Sequence, residues 1–149
     1  MQTTETFRRV RGPWPGVPET RRRIMRANKP TDTTPELRVR KMLHGRGYRY
    51  RLHCESLPGR PDIVFPGRRA AIQIHGCFWH QHGCSRARLP KSRLEYWAPK
   101  FARNVERDRE NETRLRQMEW RVLVLWECEL SDLESVAQRI GQFLGPTRK

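Results

Sequence analysis

Apolar and polar positions alternate along most of the chain with periods that predict elements, but residues 1–30 show no clear period. That stretch carries Pro13, Pro15, Pro18 and Pro30 and eight basic residues against two acidic ones. Residues 1–20 therefore read as a disordered leader, and 21–34 as a basic arm opening a single domain over 21–149. "TTPELRVRKMLHGRG" predicts a helix: Thr34 can cap it, Pro35 suits its first turn, and Gly45 or Gly47 stops it. "YRYRLH" over 48–53 alternates as a strand does. "DIVF" (62–65) and "AAIQI" (70–74) flank a Pro66-Gly67 turn and predict a hairpin. Residues 92–119 are helical in character but contain Pro99, which predicts a broken helix. "RVLVLWE" (121–127) suits a buried strand. In the last segment Leu133, Val136, Ala137, Ile140, Phe143 and Leu144 line one helical face, opened by a Ser131/Glu134 capping box. A helix between the hairpin and the last strand makes that strand parallel to its neighbour. The expectation is an α/β fold with a mixed sheet flanked by helices.

Charge changes this picture most. The chain has 31 Lys+Arg against 16 Asp+Glu, a net charge of +15. Such an excess calls for a polyanionic partner, and nucleic acid comes first. No apolar run approaches the roughly 20 residues that span a bilayer, and the N-terminus lacks the apolar region of a secretory signal. A cytoplasmic protein of nucleic-acid metabolism, with no membrane partner, is expected.

The segment "HGCFWHQHGC" (75–84) concentrates the candidate chemistry. Cys77, His82 and Cys84 form C-x4-H-x-C, three good zinc ligands within eight residues. Cys128 ends the predicted last strand, and strand ends in such sheets share a rim, so it can supply the fourth ligand of a Cys3His structural zinc site. Cys54, alone before a loop, reads as a small buried hydrophobe. Asp62 opens one predicted strand, and His75 follows the end of its hairpin partner. This is the layout of many metal-dependent nucleases, in which an Asp holds Mg²⁺ against a scissile phosphate. Their second strand places a Glu and a Lys one residue apart, where this chain has Gln73 and His75. Gln73 is a poor metal ligand, so an oxygen would come from a main-chain carbonyl, with Ile74 well placed. His75 and His80 titrate near neutral pH and can move protons.

Four blocks, "SLPGRPD", "HGCFWH", "RNVERDR" and "EWRVLVLWEC", resemble the very-short-patch (Vsr-type) repair endonucleases, in family order, from about Arg22 to the final helix. The resemblance implies a restriction-endonuclease-like core and a monomer that nicks double-stranded DNA 5′ of the T in T·G mismatches left by deamination of 5-methylcytosine, with other mismatch-repair proteins as possible partners. Carried over residue by residue, Asp62 matches the catalytic Mg²⁺ ligand and Ile74 the position whose carbonyl also contacts it. His75 and His80 match the two histidines of the cleavage centre, and Glu36 an acidic residue that supports a metal-bound water. Asp108 falls where a carboxylate could orient His80. Cys77, His82, Cys84 and Cys128 match the Zn²⁺ ligands, and Phe78, Trp79 and Trp97 the aromatics that wedge between base pairs. Arg22, Arg23, Met25, Arg26, Lys91, Lys100 and Arg103 are expected on the DNA, Met25 and its basic neighbours as an arm closing over the minor groove. Two rivals remain at this point: a zinc-braced DNA-binding protein without catalysis, and a nuclease of the same fold with another DNA target.

Overall fold

The computed structural model of the protein describes residues 31–87 and 90–147. The expected leader and the basic arm to Pro30, with Arg22, Arg23, Met25 and Arg26, lie outside these residues. The elements are α1 (Thr34–Gly45), β1 (Arg51–Leu52), β2 (Ile63–Phe65), β3 (Ala70–His75), α2 (Leu94–Gln117), β4 (Arg121–Trp126) and α3 (Leu133–Leu144). The strands form one mixed sheet in the order β1-β2-β3-β4. β2 and β3 pair antiparallel, with Ile63 opposite Ile72, and β4 runs parallel to β3, with Ile74 opposite Leu125. The predicted parallel crossover through α2 is therefore present.

Alternation along β3 sorts its side chains between two layers. Ala70, Ile72 and Ile74 join Val39 and Leu43 of α1 and Val136, Ile140 and Leu144 of α3 in one core. Ala71 joins Leu57, Val64, Val122 and Leu115 of α2 in the other. Covered on both faces, every residue of β3 is buried. The N-terminal start of β2 and the C-terminal ends of β3 and β4 consequently lie on one rim, which gathers Asp62, His75 and Cys128.

Four local expectations are corrected. α1 is capped by Thr33, whose hydroxyl accepts from the Glu36 amide, so the cap lies one residue before Thr34. β1 spans only Arg51–Leu52 rather than 48–53. Pro61 and Pro66 bound its partner β2, and Tyr48 and Tyr50 turn their rings edge-on to Phe65, 6.3 and 6.2 Å away, instead of extending the ladder. α2 runs unbroken through Pro99. That proline lies one turn inside the helix start, where it removes a single hydrogen bond, while buried Trp97, Phe101 and Leu115 pin the helix on both sides. α3 is capped by Asp132, whose carboxylate accepts from the Ser135 amide and hydroxyl, rather than by a Ser131/Glu134 box. Ser131 belongs to the preceding short 3₁₀ turn and donates to the Cys128 carbonyl.

One loop glycine is sterically required. Gly59 has φ +74°, and a Cβ there would come within 2.9 Å of the Asn111 side chain on α2. The "SLPGRPD" loop can thus lie against α2 and deliver Asp62 to the rim.

Candidate functional site

Asp62 sits at the rim because of its neighbour. The pairing of Ile63 with Ile72 sets Pro61 opposite Ile74, and the Asp62 side chain takes the bond there: the Ile74 amide donates to Asp62 Oδ2 at 2.7 Å. His75 follows Ile74, so the Asp62 carboxylate lies at most about 8 Å from the His75 Cα by standard backbone dimensions. Burial pushes the Asp62 carboxyl up to about 6, opposed by the Ile74 amide and reinforced by the nearby Glu36 carboxylate.

His75 and His80 stack face to face, with ring centroids 4.0 Å apart and planes 7° from parallel. His80 Nδ1 is bonded to the Asp108 carboxylate from α2, which leaves Nε2 as the exchangeable nitrogen. Burial, and next the charge of His80, lowers His75 to about 4, so at neutral pH it is an uncharged imidazole. Trp126, at the end of β4, meets His75 edge-on at 5.2 Å. A cleft of about 410 Å³ opens beside these groups, lined among others by His75, His80, Asp108, Arg109, Arg116 and Trp126.

The structure brings the four predicted soft donors together. Ligand atoms of Cys77, His82, Cys84 and Cys128 all lie within 4.8 Å of one another. Cys128 Sγ stands 3.4 Å from His82 Nδ1, and the Cys128 amide donates to Cys77 Sγ at 3.4 Å. A tetrahedral site with bonds of about 2.0–2.3 Å has edges of about 3.5 to 3.8 Å, so the donor set fits zinc. The His82 ring stacks on Trp126 at 4.3 Å. Cys54, expected as a buried hydrophobe, is only half-buried, packed against the second core.

The aromatics form one group. Phe78 meets Trp79, Trp97 and Phe101 at 5.1, 6.0 and 5.1 Å between ring centroids. Phe78 and Trp79 are partly exposed, whereas Trp97 is 8% exposed beneath them. The Gln81 side chain donates to the Phe78 carbonyl at 2.6 Å, and Asn104 to the Trp79 carbonyl at 3.2 Å, fixing this turn of backbone. Lys91, Lys100 and Arg103 are exposed.

Glu36 is buried on α1, in a group the sequence reading did not assemble. Arg40, one turn later, donates to Glu36 Oε2 at 3.0 Å and to Asp32 Oδ1 at 2.7 Å, and reaches His53 Nε2 at 2.9 Å. The i,i+4 spacing of Glu36 and Arg40 was a readable signal; the convergence of Asp32 and His53 depends on loops and was not. Trp126 was also missed, although its place at the end of a predicted strand two residues before Cys128 marked it.

The profile of the DNA mismatch endonuclease Vsr family matches residues 17–86. The chain is 52% identical to the type II nicking enzyme V.XorIIP of Xanthomonas oryzae pv. oryzae, over 87% of this chain and 96% of that protein. It is 45% identical to the DNA mismatch endonuclease Vsr of Escherichia coli, over 78% of this chain and 75% of that protein. The catalytic domain of the homing endonuclease I-Bth0305I shares the fold, with a TM-score of 0.53 and 24% identity over 75% of this chain and 94% of that domain. The mixed sheet with its flanking helices thus has the fold of that endonuclease domain, and with the family matches the non-catalytic alternative falls away. The chain belongs to the Vsr DNA mismatch endonuclease family and is an endodeoxyribonuclease.

Proposed function

We propose that the protein is a strand-specific, Mg²⁺-dependent endonuclease that nicks DNA 5′ of the T in T·G mismatches, as in very short patch repair. The observation that carries this reading is the rim itself: a buried carboxylate bonded to the Ile74 amide, beside two stacked imidazoles of which one is held by Asp108. Asp62 and the Ile74 carbonyl would hold Mg²⁺. When bound, that ion stabilises added negative charge on the phosphate and lowers the cost of deprotonating water.

The chain's own groups then divide the work. Asp108 fixes the His80 tautomer, so that His80 presents Nε2 for proton transfer. His75, uncharged at neutral pH, can accept a proton or a hydrogen bond beside it. Glu36 orients water at the site. Phe78 and Trp79 form the wedge that unstacks the base step, with buried Trp97 as the platform behind them rather than a tip. Unstacking costs a few kcal/mol, least where pairing is already faulty, so the wedge favours a mismatch. Cys77, His82, Cys84 and Cys128 would hold a structural Zn²⁺ that ties the wedge turn to the end of β4. Lys91, Lys100 and Arg103, with the basic arm, contact phosphates, and the enzyme acts as a monomer because one nick needs one centre.

Strand-resolved cleavage of T·G and T·A duplexes of equal flanking sequence tests this. The T strand of the T·G duplex should be nicked with Mg²⁺ and not with EDTA, and Asp62→Ala should abolish the product. Equal cutting of both duplexes would sink the mismatch assignment, and cutting without a divalent ion the role given to Asp62.

A further inference from the structure

The group of Asp32, Glu36, Arg40 and His53 is more elaborate than stability requires. Arg40 is 9% exposed and Glu36 4% exposed. Burying such a pair is weak evidence for stability, because desolvation offsets most of the attraction. The arrangement carries visible costs. Arg40 Nε is buried without a hydrogen-bond partner. Asp32 and His53, which converge on the same guanidinium, both adopt left-handed backbone, with φ of +57° and +45°. Strain of this kind persists where the surroundings impose it, and it gathers at working sites.

The group also looks like a cation site, since ligand atoms of Asp32, Glu36 and His53 lie within 4.8 Å of one another. The Arg40 guanidinium excludes that reading. It lies 2.7 Å from Asp32 and 3.0 Å from Glu36, and 2.9 Å from His53, so its fixed charge stands where a metal ion would. Arginine can only donate, so His53 Nε2 must accept. The guanidinium is thereby held on two sides, by Asp32 Oδ1 and His53 Nε2, and presented to Glu36 from a fixed direction. The Asp32 amide adds a second donor to Glu36 Oε2 at 3.0 Å. Among the described residues the contacts of Glu36 all fall on Oε2. The His53 amide donates to the Asp62 carbonyl at 3.2 Å, so this group borders the proposed metal site.

We infer that Arg40, clamped by Asp32 and His53, is a positioning residue that locks one oxygen of Glu36 and aims the other at the reaction centre. Arg40 itself touches neither phosphate nor base in this role. Its charge also lets two carboxylates, Glu36 and Asp62, stand near each other before a divalent ion arrives. The inference rests on the proposed role of Glu36, and the experiment separates the two.

The test measures single-turnover nicking of a T·G duplex, the Mg²⁺ concentration at half-maximal rate, and duplex binding, for Arg40→Met, Glu36→Gln and the double variant. Arg40→Met should slow nicking about a hundredfold and raise the Mg²⁺ requirement, with duplex affinity within about threefold of the parent, since it removes a positioning contact and not a binding one. The double variant should be no slower than Glu36→Gln alone, because residues acting as one unit are not additive. Arg40→Lys should restore little, since an ammonium cannot reproduce the fork. Should Arg40→Met fail to fold, Asp32→Asn serves instead: Asp32 is exposed, so the variant should keep the parent melting temperature yet slow nicking about threefold to tenfold, again with no effect on top of Glu36→Gln. Independent, multiplying effects of Arg40 and Glu36, or a loss confined to duplex binding, would overturn the inference. A Glu36→Gln enzyme as fast as the parent would instead remove the role of Glu36 itself, and the inference with it.

Discussion

The two ends of the segment His75–Cys84 solve opposite problems. At one end four donors, three of them sulfur, come together from this chain alone, with Cys77 fully buried. Beside the other end the Asp62 carboxylate, bonded to the Ile74 amide, and the Ile74 carbonyl would supply the oxygens of the proposed Mg²⁺ site, next to two stacked imidazoles. A closed soft set is what a structural ion needs, and an open hard set is what leaves room for phosphate and water. The protonation of each end differs accordingly. Burial pushes the Cys77 thiol up to about 12, so without an ion that thiol keeps its proton at neutral pH, and a soft dication would have to displace it. Asp62 releases its proton near 6 and is ready to meet a hard ion at neutral pH. Two ion sites would thus adjoin along this segment because donor softness and closure, not distance, separate them.

The largest effects should break this contrast cleanly. Asp62→Ala should lower the nicking rate by about a thousandfold or more, since metal-assisted charge stabilisation is worth several kcal/mol and each 1.36 kcal/mol is tenfold. Its melting temperature should not fall. Cys77→Ser should do the reverse in kind: a drop in melting temperature of about 10 °C or more, with activity lost because the segment loses its anchor. Calorimetry and single-turnover nicking on the same two preparations check both. A Cys77→Ser protein that melts like the parent would remove the brace from the account.

How far this contrast was readable in the sequence follows from how local each feature is. Cys77, His82 and Cys84 lie within eight residues, and the parallel crossover that returns Cys128 to the same rim follows from the order of elements, so the soft cluster was legible. The helix faces and the hairpin were legible for the same reason: period and turn chemistry are local properties. What misled was local signal overruled by packing. Pro99 is a helix breaker by propensity, yet Trp97 and Phe101 hold the helix through it. The tyrosines of "YRYRLH" alternate as in a strand, yet their hydroxyls donate to the Gly145 and Arg40 carbonyls, at 2.7 and 3.1 Å, and hold them off the ladder. The clamp on Glu36 was illegible beyond its i,i+4 pair because Asp32 and His53 reach it only through left-handed turns. The Asp62 bond to the Ile74 amide depends on register, which periodicity does not fix to one residue.

Smaller effects sharpen the comparison within the hard site, where two groups are displaced in opposite directions. The Asp62 carboxyl is raised by burial, so the folded chain holds that proton more tightly than the unfolded one. Its contribution to stability is complete below about pH 4 and is lost as pH rises through 6. His75 is lowered, chiefly by burial, so its contribution is complete above about pH 6.5 and is lost as pH falls toward 4. In the parent the two slopes oppose each other. Asp62→Asn, which keeps an oxygen for the Ile74 amide, should therefore gain about 2 kcal/mol at pH 7.5 and nothing at pH 3.5. It should also lose stability on acidification more steeply than the parent. His75→Gln should lose stability as pH rises from 4 to 6.5. Urea midpoints across this range, without added Mg²⁺, check both. An Asp62→Asn profile parallel to the parent's would mean that the carboxyl does not carry the burial assigned to it.

The smallest expected effect tests the surface between the two ends. Lys100 is exposed on α2, its Nζ 4.5 Å from the Tyr96 ring centroid and 5.8 Å from that of Trp97. Its ammonium donates to the Tyr96 hydroxyl at 2.8 Å, which holds the charge in front of the aromatic group. It is a ligand of neither cluster and contributes to no core. If it holds a phosphate beside the wedge, Lys100→Ala should weaken duplex binding about equally for T·G and T·A, and reduce the slope of log affinity against log salt by about 1. The rate at saturating duplex should not change, because the contact is equally strong before and during cleavage. A fall in that rate with the salt slope intact would make Lys100 part of the wedge's geometry, and would extend the braced end of the molecule from the Cys77 loop onto α2.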